Sequence, residues 1–268
     1  MANYTAQDVK KLREETDAPM MECKAALDEA DGDFEKAKNI LREKGKAAAA
    51  KRTDRTTAAG VVALAPNADA TVVGGVVVEC ETDFVARNED FIALVQQIAE
   101  IYRDNETVDE GEIKELVESA VAKIRENIKV TKSVRLTSSN PIAIYVHHDR
   151  TKGSAVLSEG ATSDAVRKVA IQIVAFPPEV LRKEDLSQEK LASEIEIETQ
   201  RAINEGKDEK LARNIATGRV NKEFVKRAVL LEQPYYIDPS KTVAQYLAEE
   251  AKGTTLVSFA YLAVGQGS

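Results

Sequence analysis

Cysteine is almost missing from this chain. Cys23 and Cys80 are the only two, and they fall in different regions. Thiols so few and so far apart make neither a disulfide framework nor a metal cluster, which fits a reducing cytoplasm. Histidine is as scarce, with only His147 and His148. As neighbours on a strand they point to opposite faces, which denies them a shared metal ion and leaves them as a hairpin end without a catalytic role. Long apolar runs are also lacking, so no stretch is expected to span a bilayer. The opening Met1-Ala2-Asn3-Tyr4-Thr5 has no basic region followed by an apolar one, so no secretory signal is expected. Neither Gly-x-x-x-x-Gly-Lys-Ser/Thr nor Gly-x-Gly-x-x-Gly occurs, so the chain has no recognisable nucleotide-binding loop of its own. No Ser, Cys or Lys stands beside a base in a known catalytic pattern. These absences argue against bond-breaking chemistry: no catalytic residue, metal ligand or cofactor is expected.

An excess of positive charge is missing too. The chain carries 37 basic and 45 acidic residues, a net charge of −8, which argues against a nucleic-acid backbone as the main partner. Residues 1–55 hold 12 basic and 12 acidic side chains, so the remainder carries the whole excess. The two parts are electrostatically distinct, as separate contact surfaces would be, although ordinary surface variation gives the same numbers.

What is present is a 268-residue chain with 43% hydrophobic and 31% charged residues, enough for a small module and a core of one or two subdomains. Residues 5–45 read as three short helices. Thr5 with Asp8 resembles a capping box leading into Val9 and Leu12. Pro19 suits the first turn of a second helix bearing Met20, Cys23, Leu27 and Ala30. Asp33 can cap a third, with Phe34, Ala37, Ile40 and Leu41, which Gly45 is expected to end. Residues 46–57 carry no apolar stripe beyond alanine and read as a helical tether. Gly60–Leu64, a turn at 66–69 and Ala70–Glu79 make a hairpin. Two helices follow, the second with Ile113, Leu116, Val117, Val121, Ile124 and Ile128. Val130, Val134 and Leu136 then alternate as a strand. A second hairpin (Ile142, Ile144 and Val146, then Ala155 and Val156) is again followed by a helix, bearing Val166, Val169, Ala170, Ile173 and Val174. Hairpin-then-helix occurs twice, which suggests two related subdomains without a residue-level repeat. Between about Asp185 and Phe224 the pattern is charged and helical, broken at Gly206-Lys207 into an antiparallel pair. The closing strand is Leu256–Val264. The expected fold class is α+β, with small antiparallel sheets. Its parts are a three-helix module with its tether (1–54), a first subdomain (55–139) and a second (140–268) interrupted by a helical hairpin (180–228).

Between the β-branched run Val72–Val78 and the helical spacing of Phe91, Leu94, Val95 and Ile98 lies Cys80-Glu81-Thr82-Asp83-Phe84-Val85-Ala86-Arg87-Asn88. Asn88 is a natural N-cap for that helix. Asp83 and Phe84 therefore sit in the turn joining strand to helix. A carboxylate beside a large aromatic can project there as a probe. Turn chemistry by itself favours the alternative, in which Phe84 folds back into the core and Asp83 merely caps a turn.

This nine-residue run resembles a signature of the bacterial elongation factor Ts family, the nucleotide-exchange factors for the GTPase elongation factor Tu. Leu12–Leu27 resembles that family's other signature. Leu230-Leu231-Glu232-Gln233-Pro234-Tyr235 and Asp238–Val243 are similar to further family segments, in the same order. The likeness runs from near Ala6 to near Gly267. It implies a three-helix module similar to ubiquitin-associated domains. It also implies that Asp83 and Phe84 enter between helices of elongation factor Tu, and that the segment Thr82, Asp83, Phe84 and Val85 dislodges its Mg²⁺ and releases GDP. By the same likeness Met20, Met21 and Gln172 contact the partner; helical phase, which points neighbours different ways, separately expects one Met buried and one exposed. The likeness also implies that the inserted helical hairpin is a surface for homodimer formation, the plain alternative being a solvated helical hairpin.

The sequence departs from the family pattern at named places. Thr16-Asp17-Ala18-Pro19 stands for the frequent Thr-Gly-Ala-Gly, and Arg125-Glu126-Asn127 for Gly-Glu-Asn. Gln172 stands where relatives carry His or Gln. Val264–Gly267 lacks a frequent Glu, and the chain is expected to end without the extra helix some relatives have. A different class of function, a ubiquitin-associated-type binding adaptor on a scaffold core, would leave the Asp83-Phe84 turn without a purpose.

Overall fold

The computed structural model describes residues 3–16, 18–50, 52–160 and 164–266. The chain divides into two compact units, one of Met1–Ala65, Gly74–Arg135 and Ala263–Ser268, the other of Pro66–Val73 and Leu136–Leu262. The architecture is α+β, with two three-stranded sheets, and the first three elements are helices.

Those helices are α1 (Ala6–Thr16), α2 (Met20–Glu29) and α3 (Phe34–Ala50). The capping box at α1 forms: Thr5 N donates to Asp8 Oδ2 at 2.7 Å, and Asp8 N donates to Thr5 Oγ1 at 3.3 Å. Asp33 Oδ1 accepts from Lys36 N at 3.0 Å and starts α3. Val9, Leu12, Cys23, Ala26, Leu27, Ala30, Ala37 and Leu41 form their common core. Gly45 does not end α3, which runs on to Ala50 through a stretch of alanine. The glycine serves packing instead, because a Cβ there would stand 3.1 Å from Ala122 Cβ on α6 (Glu110–Ile124). Asp17, in the altered turn before α2, and Lys51, in the expected tether, lie outside the described residues.

The first sheet has the order β1 (Ala59–Pro66), β2 (Val72–Cys80), β3 (Lys129–Thr137). The valine run of β2 is buried from Val73 onward on both faces. Against this sheet packs α5 (Glu89–Asp104), through Phe91, Val95, Ile98 and Ala99. At Gly74 the strand backbone passes so close to α5 that a Cβ would overlap the Ala99 carbonyl. Helix α6 adds Ile113 and Val121 to the core. It stops at Ile124, because Arg125 turns left-handed (φ +67°), so Ile128 is buried from the following loop rather than from the helix.

The second sheet has the order β4 (Ala143–Val146), β5 (Lys152–Glu159), β6 (Thr255–Ala263). Strands β4 and β5 are antiparallel, with Ala143 opposite Val156 and Val146 opposite Gly153. Helix α7 (Asp164–Ala175) buries Val166, Val169, Ala170 and Ile173 against Val156, Leu230 and Val243. The expected helical hairpin is α8 (Gln188–Asn204) with α9 (Glu209–Arg219). A π-helical turn at Val220–Val225 carries α9 into the short α10 (Lys226–Ala228). Helix α11 (Val243–Glu250) opens with a capping box between Thr242 and Gln245.

The histidines correct their expected geometry. Strand β4 ends at Val146, and the chain turns at once, Arg150 N donating to His147 O at 2.8 Å. Off the strand, alternation no longer applies, and the two rings lie with centroids 4.2 Å apart instead of on opposite faces. Among the described residues no helix is long and apolar enough to cross a membrane.

Candidate functional site

Strand β2 is followed, two residues on, by the single-turn helix α4 (Asp83–Ala86) and then by α5. Two caps shape this passage. Thr82 has extended backbone (φ −124°, ψ 155°), and its Oγ1 accepts from Val85 N at 3.4 Å. Asn88 Oδ1 accepts from Asp90 N at 2.8 Å and Phe91 N at 3.3 Å. Each satisfies amide groups that a helix start leaves free, so the chain is re-aimed twice within seven residues.

One turn of helix has two sides. Val85 and Ala86 lie against the core of the first sheet. Asp83 and Phe84 face outward, and Phe84 is 83% exposed, more than any other large hydrophobic residue described. The fold-back of Phe84 into the core, which turn chemistry favours, does not occur. Asp83 Oδ2 pairs with Arg87 Nη2 at 3.2 Å; both side chains are mostly exposed, so solvent screens the pair and it holds neither firmly.

Beneath the exposed pair lies a polar brace. Glu126 Oε2 accepts from Glu81 N and Thr82 N, each at 3.0 Å, and its Oε1 accepts from Thr82 Oγ1 at 2.6 Å. In return Glu81 Oε1 accepts from Asn127 N at 2.7 Å. The buried Asn127 amide donates to Arg55 O at 2.7 Å and Thr53 O at 3.3 Å. Cys80 donates its thiol to Thr82 O at 3.3 Å. Burial, and after it the charge of Glu126, pushes that thiol up to about 12, so it stays a protonated donor and not a nucleophile. Sequence reasoning noticed Arg125-Glu126-Asn127 only as a departure in its first residue. The available signal was the left-handed position itself: a glycine suits it, Arg125 occupies it, and Glu126 and Asn127 follow it directly. Arg125 also forms an ion pair with Glu22 of α2, and Arg42 of α3 forms one with Glu115 of α6 at 3.4 Å.

Thr82, Asp83, Phe84 and Val85 thus share one turn. Met20 and Met21 start α2, and neither is buried; they are 47% and 74% exposed. The expected split fails because the buried face of α2 is Cys23, Ala26 and Leu27, and the first turn projects beyond that core. Gln172 corrects its expectation more strongly. It is wholly buried in α7 of the second unit. Its Nε2 donates to Gln233 Oε1 at 2.9 Å and Pro234 O at 3.2 Å, and its Oε1 accepts from Tyr236 N at 2.8 Å. A side chain so enclosed and satisfied holds its own chain together and offers no surface to a partner.

The family model described as Elongation factor TS matches residues 81–266. Elongation factor Ts of Chloroherpeton thalassium is 40% identical to this chain over 273 residues, covering 94% of the chain and 93% of that protein. Elongation factor Ts of Clostridioides difficile is 38% identical over 287 residues, covering 100% and 94%. That of Bordetella petrii is 38% identical over 278 residues, covering 100% and 93%.

Proposed function

The chain belongs to the elongation factor Ts family and so to the proteins of translation elongation, and from this premise we propose that it promotes nucleotide exchange on elongation factor Tu. In such a GTPase, Mg²⁺ bridges phosphate oxygens and protein side chains in an octahedral shell that tolerates little distortion. An exchange factor need not touch the nucleotide. It must bind the nucleotide-free GTPase more tightly than the GDP-bound one, and linkage then makes the factor weaken GDP by the same ratio. Asp83 and Phe84 enter between GTPase helices and shift the elements that hold Mg²⁺. The ion leaves, GDP follows, and GTP rebinds and expels the factor. No covalent bond is made or broken.

The observation that carries this reading is the outward Phe84. A solvated phenyl ring is costly to leave in water and gains when a partner pocket covers it. Thr82 and Val85 serve the same turn, one as its cap and the other as its anchor to the core. Met20 and Met21 supply a second contact from the 1–54 module, and methionine adapts well to a partner surface. The division into a module, a first subdomain (55–139) and a second (140–268) belongs to the same proposal. So does self-association through the helical hairpin, where Ile197 and Leu211 are exposed.

Release of labelled GDP from elongation factor Tu on adding this protein tests the activity; no acceleration would overturn it. The ion step has its own test. In Mg²⁺ buffer the native protein should far outpace the Asp83→Ala, Phe84→Ala double variant, and with Mg²⁺ chelated that gap should narrow. Removal of the ion and removal of the probe act on one interaction, so their effects do not add. An equal ratio in both buffers would leave exchange standing and remove ion displacement as its means.

A further inference from the structure

The exposed position of Phe84 needs a physical cause, because packing does not supply one. A four-residue helix makes too few internal hydrogen bonds to hold its own shape. Val85 and Ala86 anchor one side, but a ring that is 83% exposed is fixed by few contacts of its own. What remains is the entry to α4. Both backbone amides there, Glu81 N and Thr82 N, and the Thr82 hydroxyl converge on the carboxylate of Glu126, more than forty residues further along the chain.

We infer that Glu126 is a positioning residue for exchange, its carboxylate holding the start of α4 so that Phe84 stays presented outward. This rests on the reading of Phe84 as the probe. The chemistry suits the task. Hydrogen bonds to an ionised acceptor are shorter and about twice as strong as neutral ones, and three share this carboxylate. Thr82 Oγ1 donates a hydrogen bond to Glu126 Oε1 and accepts one from Val85 N, so carboxylate, hydroxyl and helix form one polarised chain. The reciprocal bond from Asn127 N to Glu81 Oε1 stops the two segments sliding past each other. Asn127 ties the loop to Arg55 O, so the brace is itself held. The bonds of Glu126 go to Glu81 N, Thr82 N and Thr82 Oγ1, so it acts through the entry to the turn that carries Asp83 and Phe84.

The chain has no tryptophan, so Phe84→Trp places a single indole at the position in question. In the full-length protein, adding Glu126→Gln to Phe84→Trp should lower the fluorescence anisotropy of that indole, with far-ultraviolet circular dichroism unchanged. Unchanged anisotropy overturns the inference. The second arm is stimulated GDP release. Glu126→Gln should slow it roughly tenfold in the native background, the equivalent of one charge-assisted hydrogen bond. In the Asp83→Ala, Phe84→Ala background it should slow it by less than about twofold, because a brace without its probe has nothing to position. An equal loss in both backgrounds would give Glu126 some other role and overturn the inference. If Phe84→Ala alone leaves exchange untouched, the exchange reading of this turn falls, and the anisotropy arm still decides what Glu126 holds. Should Glu126→Gln fail to fold, Thr82→Val removes one of the three donors and must shift both readouts the same way, with Thr82→Ser restoring them.

Discussion

Each unit lays a helix on a sheet just after a hairpin, α5 in the first and α7 in the second, yet the two use their polar side chains in opposite ways. In the first unit the charged Glu126 stands half-buried at the rim and braces a turn that exposes Phe84. In the second the neutral Gln172 is enclosed and ties α7 to the segment 233–236. Gln233 extends that latch, its Nε2 donating to Arg227 O at 2.8 Å and Phe176 O at 3.0 Å. The difference follows from chemistry. An amide carries donors and an acceptor and can be satisfied inside without a charge. A carboxylate only accepts, and full burial would cost its hydration, so it works from the edge. A polar residue on a list of expected contacts is therefore better sorted by how completely its own fold satisfies it.

The sharpest way to break this comparison is Gln172→Leu. It takes away the Gln172 partner of Gln233 Oε1 and of the Tyr236 amide in a closed interior, and stability to denaturant should fall by about 3 kcal/mol. Native stability with weakened binding would make Gln172 a contact after all. Phe84→Ala should do the reverse. Loss of an aromatic anchor costs roughly 2 kcal/mol or more of binding, beyond tenfold in Kd, with stability moved by less than about 0.5 kcal/mol. Calorimetric titration into nucleotide-free elongation factor Tu, beside a melting curve, reads both. Met20→Ala with Met21→Ala should weaken the same binding by about 1 kcal/mol, as rim contacts do, and leave the melting curve in place. A stability loss of about 2 kcal/mol or more, typical of a buried Met, would contradict their exposure.

The smallest expected effect concerns Arg125. A left-handed side-chain residue is strained by about 1 kcal/mol relative to glycine, while its exposed ion pair with Glu22 returns up to about 1 kcal/mol. Arg125→Gly should therefore shift stability by less than about 1 kcal/mol. Its sign is set by salt: screening weakens the ion pair of the native protein only, so the glycine variant should gain ground as ionic strength rises. Urea midpoints at two salt concentrations test this, and a glycine variant that loses ground against the native protein as salt rises would refute it.

Much of the chain was readable in advance where the relevant forces are short-ranged. The capping box of Thr5 with Asp8, the cap at Asn88 and the hairpin of β4 and β5 rest on groups near each other in the chain, and each stands where expected. The misreadings share a cause. Gly45 looked like a helix end, but the reason for its small size is Ala122, far away in sequence. Ile128 continued a helical spacing that one left-handed residue had already cut. Met20 and Met21 were divided between core and solvent by helical phase alone, which cannot tell where the core stops.

By itself the sequence determined most of the order of helices and strands (though not α4 or α11), the strand-to-helix passage at 80–88, and the family, because periodicity, caps and contiguous motifs are properties of neighbours along the chain. Only the tertiary structure decided that Phe84 faces out, that Gln172 faces in, and that Glu126 lies under the turn. Burial and bracing are set by groups that folding brings together from dozens of residues apart, and no local pattern encodes which of them will meet.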